Sequence, residues 1–321
     1  MSAPWVTAPQ TRRADAVVSP VDPAPATAGV HRTGSVARGL VRAVRPRQWV
    51  KNLLVIAAPF TAEVLLQPGV VARLVIATAS LCLAASSTYL LNDVIDASAD
   101  RLHPTKRHRP IAAGVVPPRV ALVASLALLV GAIAVGSILG LTFAGLVVTY
   151  ITMTIAYSSW LKRIPIVDVL AVASGFLLRA VAGAVAAGVT TTSAFLLVAS
   201  FGALFLVIAK RHGERFHLGP NAATRAALAA YTPELTGQLL SISVTATLVC
   251  YATWAFGLDR GEGGLPWTAL SVLPFTAAML RALQLAVRGD GADPEDLLRD
   301  RGLLLAGGAV GLLTLLGLYI W

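Results

Sequence analysis

The sequence predicts an all-α, polytopic membrane protein: nine transmembrane helices in a bundle, capped by loops on the cytoplasmic side. Three observations predict it. Apolar runs of about eighteen residues or more recur from residue 50 onward, each long enough for a helix to cross the ~30 Å hydrocarbon core. The composition is 56% hydrophobic and only 13% charged, and the runs far exceed the ~10-residue alternating segments of an outer-membrane barrel, which excludes that class. Most of the 26 Lys and Arg residues gather at the N-terminus and in alternate loops, the asymmetry that orients membrane proteins.

Residues 1–37 are rich in Ala, Pro, Thr, Val and Arg without a helical period. They are expected to form a disordered tail, and they lack the apolar stretch of a secretory signal. Residues 38–321 then form one transmembrane catalytic domain. Its spans are expected at about 50–66, 70–91, 118–137, 140–160, 165–187, 192–210, 236–257, 266–287 and 302–320. Basic residues crowd the segment through Lys51, the loop ending near Arg119, the pair Lys162 and Arg163, and the stretches around Lys210 and Arg299. The other loops hold almost none apart from Arg260. This predicts a cytoplasmic N-terminus, an outside C-terminus and a plasma-membrane location. Two cytoplasmic loops, 92–117 and 211–235, are long, and Pro233 marks the entry to the next span. Long loops in a compact domain tend to carry function. Paired on one face, these two would cap a cavity.

The net charge of +10 follows the cytoplasmic loops rather than one patch, so nucleic acid is not the expected partner. Anionic lipid and phosphate substrates are. Cys82 and Cys250 both fall inside apolar spans and read as small core residues rather than a disulfide.

Residues 92–109, NDVIDASADRLHPTKRHR, interrupt the apolar pattern. On a helix Asp93, Asp96 and Asp100 share one arc. Carboxylates stacked this way hold a hard cation such as Mg²⁺, and Mg²⁺ usually holds a phosphate in turn. The bland alternative is a solvated acidic turn, but Asn92 and Asp93 sit at the end of an apolar run, where a carboxylate is costly without a partner. Arg101, Lys106, Arg107 and Arg109 follow as phosphate ligands or as ordinary cytoplasmic anchors. Pro104 and Pro110 favour a shaped loop. His103 and His108 read as loop or hydrogen-bonding residues, there being no second metal-like cluster around them.

Four further groups carry charge into the membrane. Arg47, Trp49 and Lys51 introduce the first span as interfacial anchors, but Lys51 and Asn52 lie slightly inside the apolar run and suit a polar cavity. Tyr157 and Lys162 close the fourth span; five apart, they share a cavity only if a turn follows Trp160. Arg179 lies about 20 Å into the fifth span at ~1.5 Å per residue, three turns beyond Asp168 on the same face. An intramembrane ion is functional or tightly paired, and both readings stand for Arg179. Glu63 raises the same question in the first span.

The run from Asn92 to Asp100 is identified as the NDxxDxxxD signature of the UbiA prenyltransferase superfamily, and the span count and capping loops resemble that fold over about 45–320. Within it, RPRQWVKN (45–52), HPTKRHRPIAAG (103–114), FLLRAVAG (176–183) and KRHGE (210–214) are most similar to the polyprenyl-phosphate phosphoribosyltransferase branch, membrane enzymes of arabinan synthesis. Relatives that use prenyl diphosphates carry a second aspartate-rich motif after the sixth span, where this sequence has Lys210, Arg211, His212, Gly213 and Glu214. The YxxxK pattern of some relatives is off by one here. The resemblance implies Mg²⁺ held by Asp93, Asp96 and Asp100, with Asn92 positioning that shell or a sugar hydroxyl. It implies 5-phosphoribosyl 1-diphosphate as donor and a polyprenyl (decaprenyl) phosphate as acceptor. Arg47, Lys51 and Lys162 would hold the lipid phosphate, and Lys106, Arg109, Lys210 and Arg211 the donor's phosphates, with Tyr157 beside them. A homo-oligomer is compatible with this reading. Two alternatives remain: an aromatic or quinone-precursor prenyltransferase, which lacks its second aspartate cluster here, and a lipid or solute transporter, for which no inverted repeat is evident.

Overall fold

The computed structural model describes residues 33–218, 228, 230–258, 265–289 and 299–320. Among these residues the fold is all helical, and eight helices are long and apolar enough to cross a membrane. They match eight of the nine expected spans. The expected first span, 50–66, is instead a 3₁₀ helix, Pro46–Ile56, followed by a short α-helix, α2 (Ala57–Thr61). The local chemistry explains the difference. Asn52 is buried to 1% exposure inside this segment, and Pro59 removes a backbone donor from it.

The stretch ahead of it is ordered further back than expected. Helix α1 (Thr33–Ala43) begins inside the predicted tail; residues 1–32 lie outside the described residues. α1 is anchored through Leu40 and Ala43, which pack with Leu90, Ile111, Val116 and Ala121. Gly39 permits this approach, because a Cβ there would come within 2.6 Å of the Val116 side chain.

α3 (Val70–Ile95) runs past the expected end at 91 and carries Asn92 and Asp93 on its last turn. A break at Asp96 leads into α4 (Ala97–Leu102), and a single 3₁₀ turn follows at Lys106–His108. The expected long loop 92–117 is therefore a shaped cap, held down by fully buried Ile111 and Val116. Pro118 opens α5 (Pro118–Ser137), and α6 (Leu141–Ser159) ends in a 3₁₀ turn, Leu161–Arg163. α7 (Val167–Ala187) stops at Gly188, whose φ of 74° is the usual left-handed helix end. α8 (Ser193–Leu218) continues well past 210, so KRHGE is helical rather than part of a loop. Of the expected second long loop, 219–227 and 229 lie outside the described residues. Thr232 caps α9 (Pro233–Gly257), its hydroxyl accepting from the Leu235 N–H at 3.1 Å. α10 (Trp267–Leu270) and α11 (Val272–Val287) make the next span, and α12 (Arg301–Leu315) the last.

α7 joins two cores. On one side Ala182 and Ala186 pack with Leu74, Leu81, Phe143 and Val147 of α3 and α6. On the other, Val169 and Ala173 pack with Phe205, Ile208, Leu240 and Ala282 of α8, α9 and α11. Its small residues let the 3₁₀ segment lie against it: a Cβ on Gly183 would stand 1.9 Å from the Val55 carbonyl oxygen. Gly183→Ala is therefore expected to destabilise by about 1–3 kcal/mol, read as a lower melting temperature in detergent. Gly145→Ala on α6, with nothing within 4 Å, is expected to leave it unchanged. Equal melting temperatures for the two variants would contradict the close contact.

Candidate active site

Asp96, Asp100 and a set of cations line a cavity of about 610 Å³ at one end of the bundle, and Asp93 is buried behind Arg45. α3 delivers Asn92 and Asp93, and α4 delivers Asp100. Asp93 is 1% exposed, and an ion there needs partners. Arg45 Nη2 reaches Asp93 Oδ1 at 2.5 Å. Arg109 Nη1 donates to Asp93 Oδ1 at 3.2 Å and to Asp100 Oδ2 at 2.7 Å, so one guanidinium bridges the helix break. Lys162 Nζ meets both oxygens of Asp96, at 2.8 and 3.0 Å. The single helical arc expected for the three aspartates is corrected accordingly: Asp96 sits at the break, with φ −88° and ψ 2°, and turns towards α6. Lys106, His103 and Arg163 complete the wall. Burial and nearby Lys106 hold the His103 imidazole below its usual pKa. A neutral ring agrees with its Nδ1 accepting from the Thr105 N–H at 3.3 Å.

Among the described residues no three His, Cys, Asp or Glu side chains converge as a ready-made metal cage. The residues nonetheless fit Mg²⁺. Asp93 Oδ2 is buried without a hydrogen-bond partner, an orphaned acceptor, while Asn92, Asp96 and Asp100 present oxygens on the cavity wall. Mg²⁺ generally takes only one or two carboxylates and completes its shell with phosphate and water.

A second chamber of about 270 Å³ adjoins the first, with Arg45, Tyr89, Thr154 and Tyr157 on both walls. Lys51 from the 3₁₀ segment, Arg179 from α7 and Lys210 from α8 reach it. The turn expected after Trp160 does bring Tyr157 and Lys162 to a shared cavity. Arg179 and Asp168, three turns apart on α7, each find partners on other elements. Arg179 donates to Asn52 Oδ1 at 2.8 Å, to the Gly175 carbonyl at 2.7 Å and to the Tyr150 hydroxyl at 2.7 Å.

Asp168 instead takes Arg211 Nε at 2.8 Å and the Tyr231 hydroxyl at 2.5 Å. Arg211 also donates to Glu214 at 2.8 Å and to the Tyr157 hydroxyl at 3.0 Å. It was expected to grip donor phosphate; its fork is spent on fixing α8 to α6 and α7. Tyr231 accepts from the Ile166 N–H at 2.8 Å, bracing a β-branched residue at a φ of 68° where α7 begins. Burial and the bond to Asp168 push the Tyr231 phenol up, so it stays a neutral donor.

Other expected ligands lie elsewhere. Arg47 is exposed in a surface hollow with Val41, Arg42 and Arg45 and is on neither chamber's wall. Arg101 is exposed, with Nε on the Ala112 carbonyl at 3.1 Å, and Arg107 is exposed too. Glu63 is exposed in the turn after α2. Sequence reasoning missed Arg45, which stands at φ 54° before Pro46 with its guanidinium 5.0 Å from the Tyr89 ring centre. It also missed Tyr150, although the seven-residue spacing to Tyr157 places both on one face of α6.

The UbiA prenyltransferase family matches residues 53–315. The chain belongs to this family. It is 42% identical over 281 residues to a decaprenyl-phosphate phosphoribosyltransferase of Mycobacterium tuberculosis, covering 84% of this chain and 91% of that protein. It is 39% identical over 269 residues to the Corynebacterium glutamicum protein of the same name, covering 82% and 81%. A UbiA homolog from Archaeoglobus fulgidus, solved bound to DMAPP and Mg²⁺, superimposes with a TM-score of 0.65 at 20% identity, over 87% of this chain and 97% of that one. This member of the UbiA family is a multi-pass membrane protein and a transferase.

Its Arg211 network makes a stability prediction. Asp168→Ala leaves a guanidinium of 3% exposure without its buried carboxylate, and is expected to cost about 3–5 kcal/mol. Glu214→Gln, on a side chain 23% exposed, is expected to cost at most about 1 kcal/mol. Denaturation in detergent compares the two, and equal losses would contradict the assignment of Asp168 as the main counter-ion.

Proposed function

We propose that this chain transfers the 5-phosphoribosyl group of 5-phosphoribosyl 1-diphosphate to a polyprenyl phosphate, releasing diphosphate. The observation that carries the reading is the pair of relatives named decaprenyl-phosphate phosphoribosyltransferase, about 40% identical over most of both lengths. The cationic end of α8 supports it. Lys210 stands there on a chamber wall, and the nearby acids Asp168 and Glu214 are taken up by Arg211, where a second metal for a prenyl diphosphate would require free acids.

In this mechanism Asp93, Asp96 and Asp100 would hold Mg²⁺, with Asn92 beside them. When bound, the metal neutralises charge on the leaving diphosphate. Arg109, Lys162 and Lys106 line the same cavity and stabilise the oxygens of that group as its charge grows. The bond from ribose C1 to the diphosphate oxygen breaks as a lipid phosphate oxygen bonds to C1 from the opposite face, inverting that carbon. The nucleophile is already an anion near neutral pH, so no proton has to move and no strong base is needed. The apolar helices would enclose the start of the isoprenoid chain. We place the cavity on the cytoplasmic face of the plasma membrane, where the basic loops point.

Two experiments test the proposal. The purified chain, given polyprenyl phosphate with labelled phosphoribosyl diphosphate, is expected to form a lipid-extractable product; an aromatic acid with prenyl diphosphate is expected to form none. The opposite outcome would reassign the chain to aromatic prenylation. Asp96 has a partly exposed side chain, so Asp96→Ala is expected to keep the fold yet lose about a hundredfold or more in kcat. Retained turnover at ordinary Mg²⁺ would sink the metal assignment.

A further inference from the structure

The two chambers share a wall but differ in charge. Asp96 and Asp100 face the first. Among the described residues the second is lined by Arg45, Lys51, Arg179, Lys210 and Arg211 and by no carboxylate side chain. Arg45 and Arg211 are neutralised by carboxylates behind them, Asp93 and Asp168. Arg179 is not. It is 6% exposed within a membrane span, and its hydrogen-bond acceptors are an amide, a peptide carbonyl and a phenol. The rings of Tyr150 and Phe176, at 4.7 and 5.7 Å, add only weak stabilisation. A buried guanidinium held by neutral groups alone is costly inside a membrane. A guanidinium carries five N–H donors, so part of the Arg179 fork remains for a ligand on the chamber side.

We propose that the second chamber binds a single phosphate ester anion through Lys51, Lys210 and Arg179, without a divalent cation. The three cations come from three different elements and face one space, and among the described residues that line it there is no carboxylate to hold a metal. Hydrogen bonds between ionised partners are the strong ones, and the low dielectric of the bundle strengthens them further. The small volume suits a phosphate with the carbons next to it. Two substrates of the proposed reaction supply that chemistry: the donor's 5-phosphate and the acceptor lipid's phosphate. The inference rests on the proposed reaction only for this choice of ligands. It separates two recognition events, a metal-dependent grip on diphosphate among the aspartates and a metal-independent grip on a phosphate ester beside them.

The test is equilibrium binding to the full-length detergent-purified protein in excess chelator, with labelled ribose 5-phosphate and labelled farnesyl phosphate as probes. One probe is expected to bind saturably without Mg²⁺. That binding is expected to persist in Asp96→Ala, to weaken about tenfold or more in Lys51→Met and Lys210→Met, and to recover in Lys210→Arg. Ribose 5-phosphate as the binder assigns the chamber to the donor's distal phosphate, and farnesyl phosphate assigns it to the acceptor. Binding of neither probe in chelator overturns the proposal, as does Asp96→Ala weakening it as much as Lys210→Met. The transfer assay distinguishes the two failures. Product formation with Mg²⁺ but no chelator-resistant binding removes this inference and keeps the reaction; chelator-resistant binding with no product does the reverse.

Discussion

A carboxylate buried at the end of a membrane helix must be met by cations, and Asp93 imposes that requirement on the whole mouth of the bundle. Arg45 and Arg109 both come to its Oδ1. Arg45 arrives from the turn between α1 and the 3₁₀ segment, and its left-handed backbone is what aims it there. Arg109 arrives from the cap and, by also holding Asp100, ties α4 to α3. Three separate stretches of chain are thus fixed around one oxygen. The second oxygen of Asp93 is left without a hydrogen-bond partner.

The same logic repeats deeper in the bundle with different residues. Asp168 calls in Arg211 and Tyr231, and this fixes the entry to α7 against α8. α7 in turn is shared by both apolar cores and is pressed against the 3₁₀ segment at Gly183. Lys51 and Lys210 stand on elements held by these contacts. The position of the cations is therefore a consequence of packing and of the buried acids, which is the preorganisation that electrostatic catalysis requires.

Much of this was legible in the sequence. Eight of nine spans could be placed because hydrophobic length is a direct demand of the bilayer. The aspartate cluster could be found because polar residues at the end of an apolar run need a reason. The first span could not be read as irregular, since its apolar content masks the effect of buried Asn52 and of Pro59. The partners of each ion were also hidden. Asp168 and Arg179 share a helix face three turns apart, and neither partner is visible from that: Asn52, 127 residues away, takes Arg179 and Arg211 takes Asp168. Such long-range pairings follow from tertiary packing, to which local periodicity gives no access. Arg211 shows the consequence: its charge and its place in KRHGE suggested a ligand, while its three bonded nitrogens serve the fold.

The central claim is that the aspartate mouth releases diphosphate while the rest of the donor passes to the lipid. Positional labelling tests it most directly. Phosphoribosyl diphosphate is prepared with label either in the 5-phosphate or in the β-phosphate, and each is incubated with the protein, Mg²⁺ and polyprenyl phosphate. The 5-phosphate label is expected to enter the lipid extract and the β-phosphate label to stay in water as diphosphate. Both labels in the lipid, or neither, would contradict it.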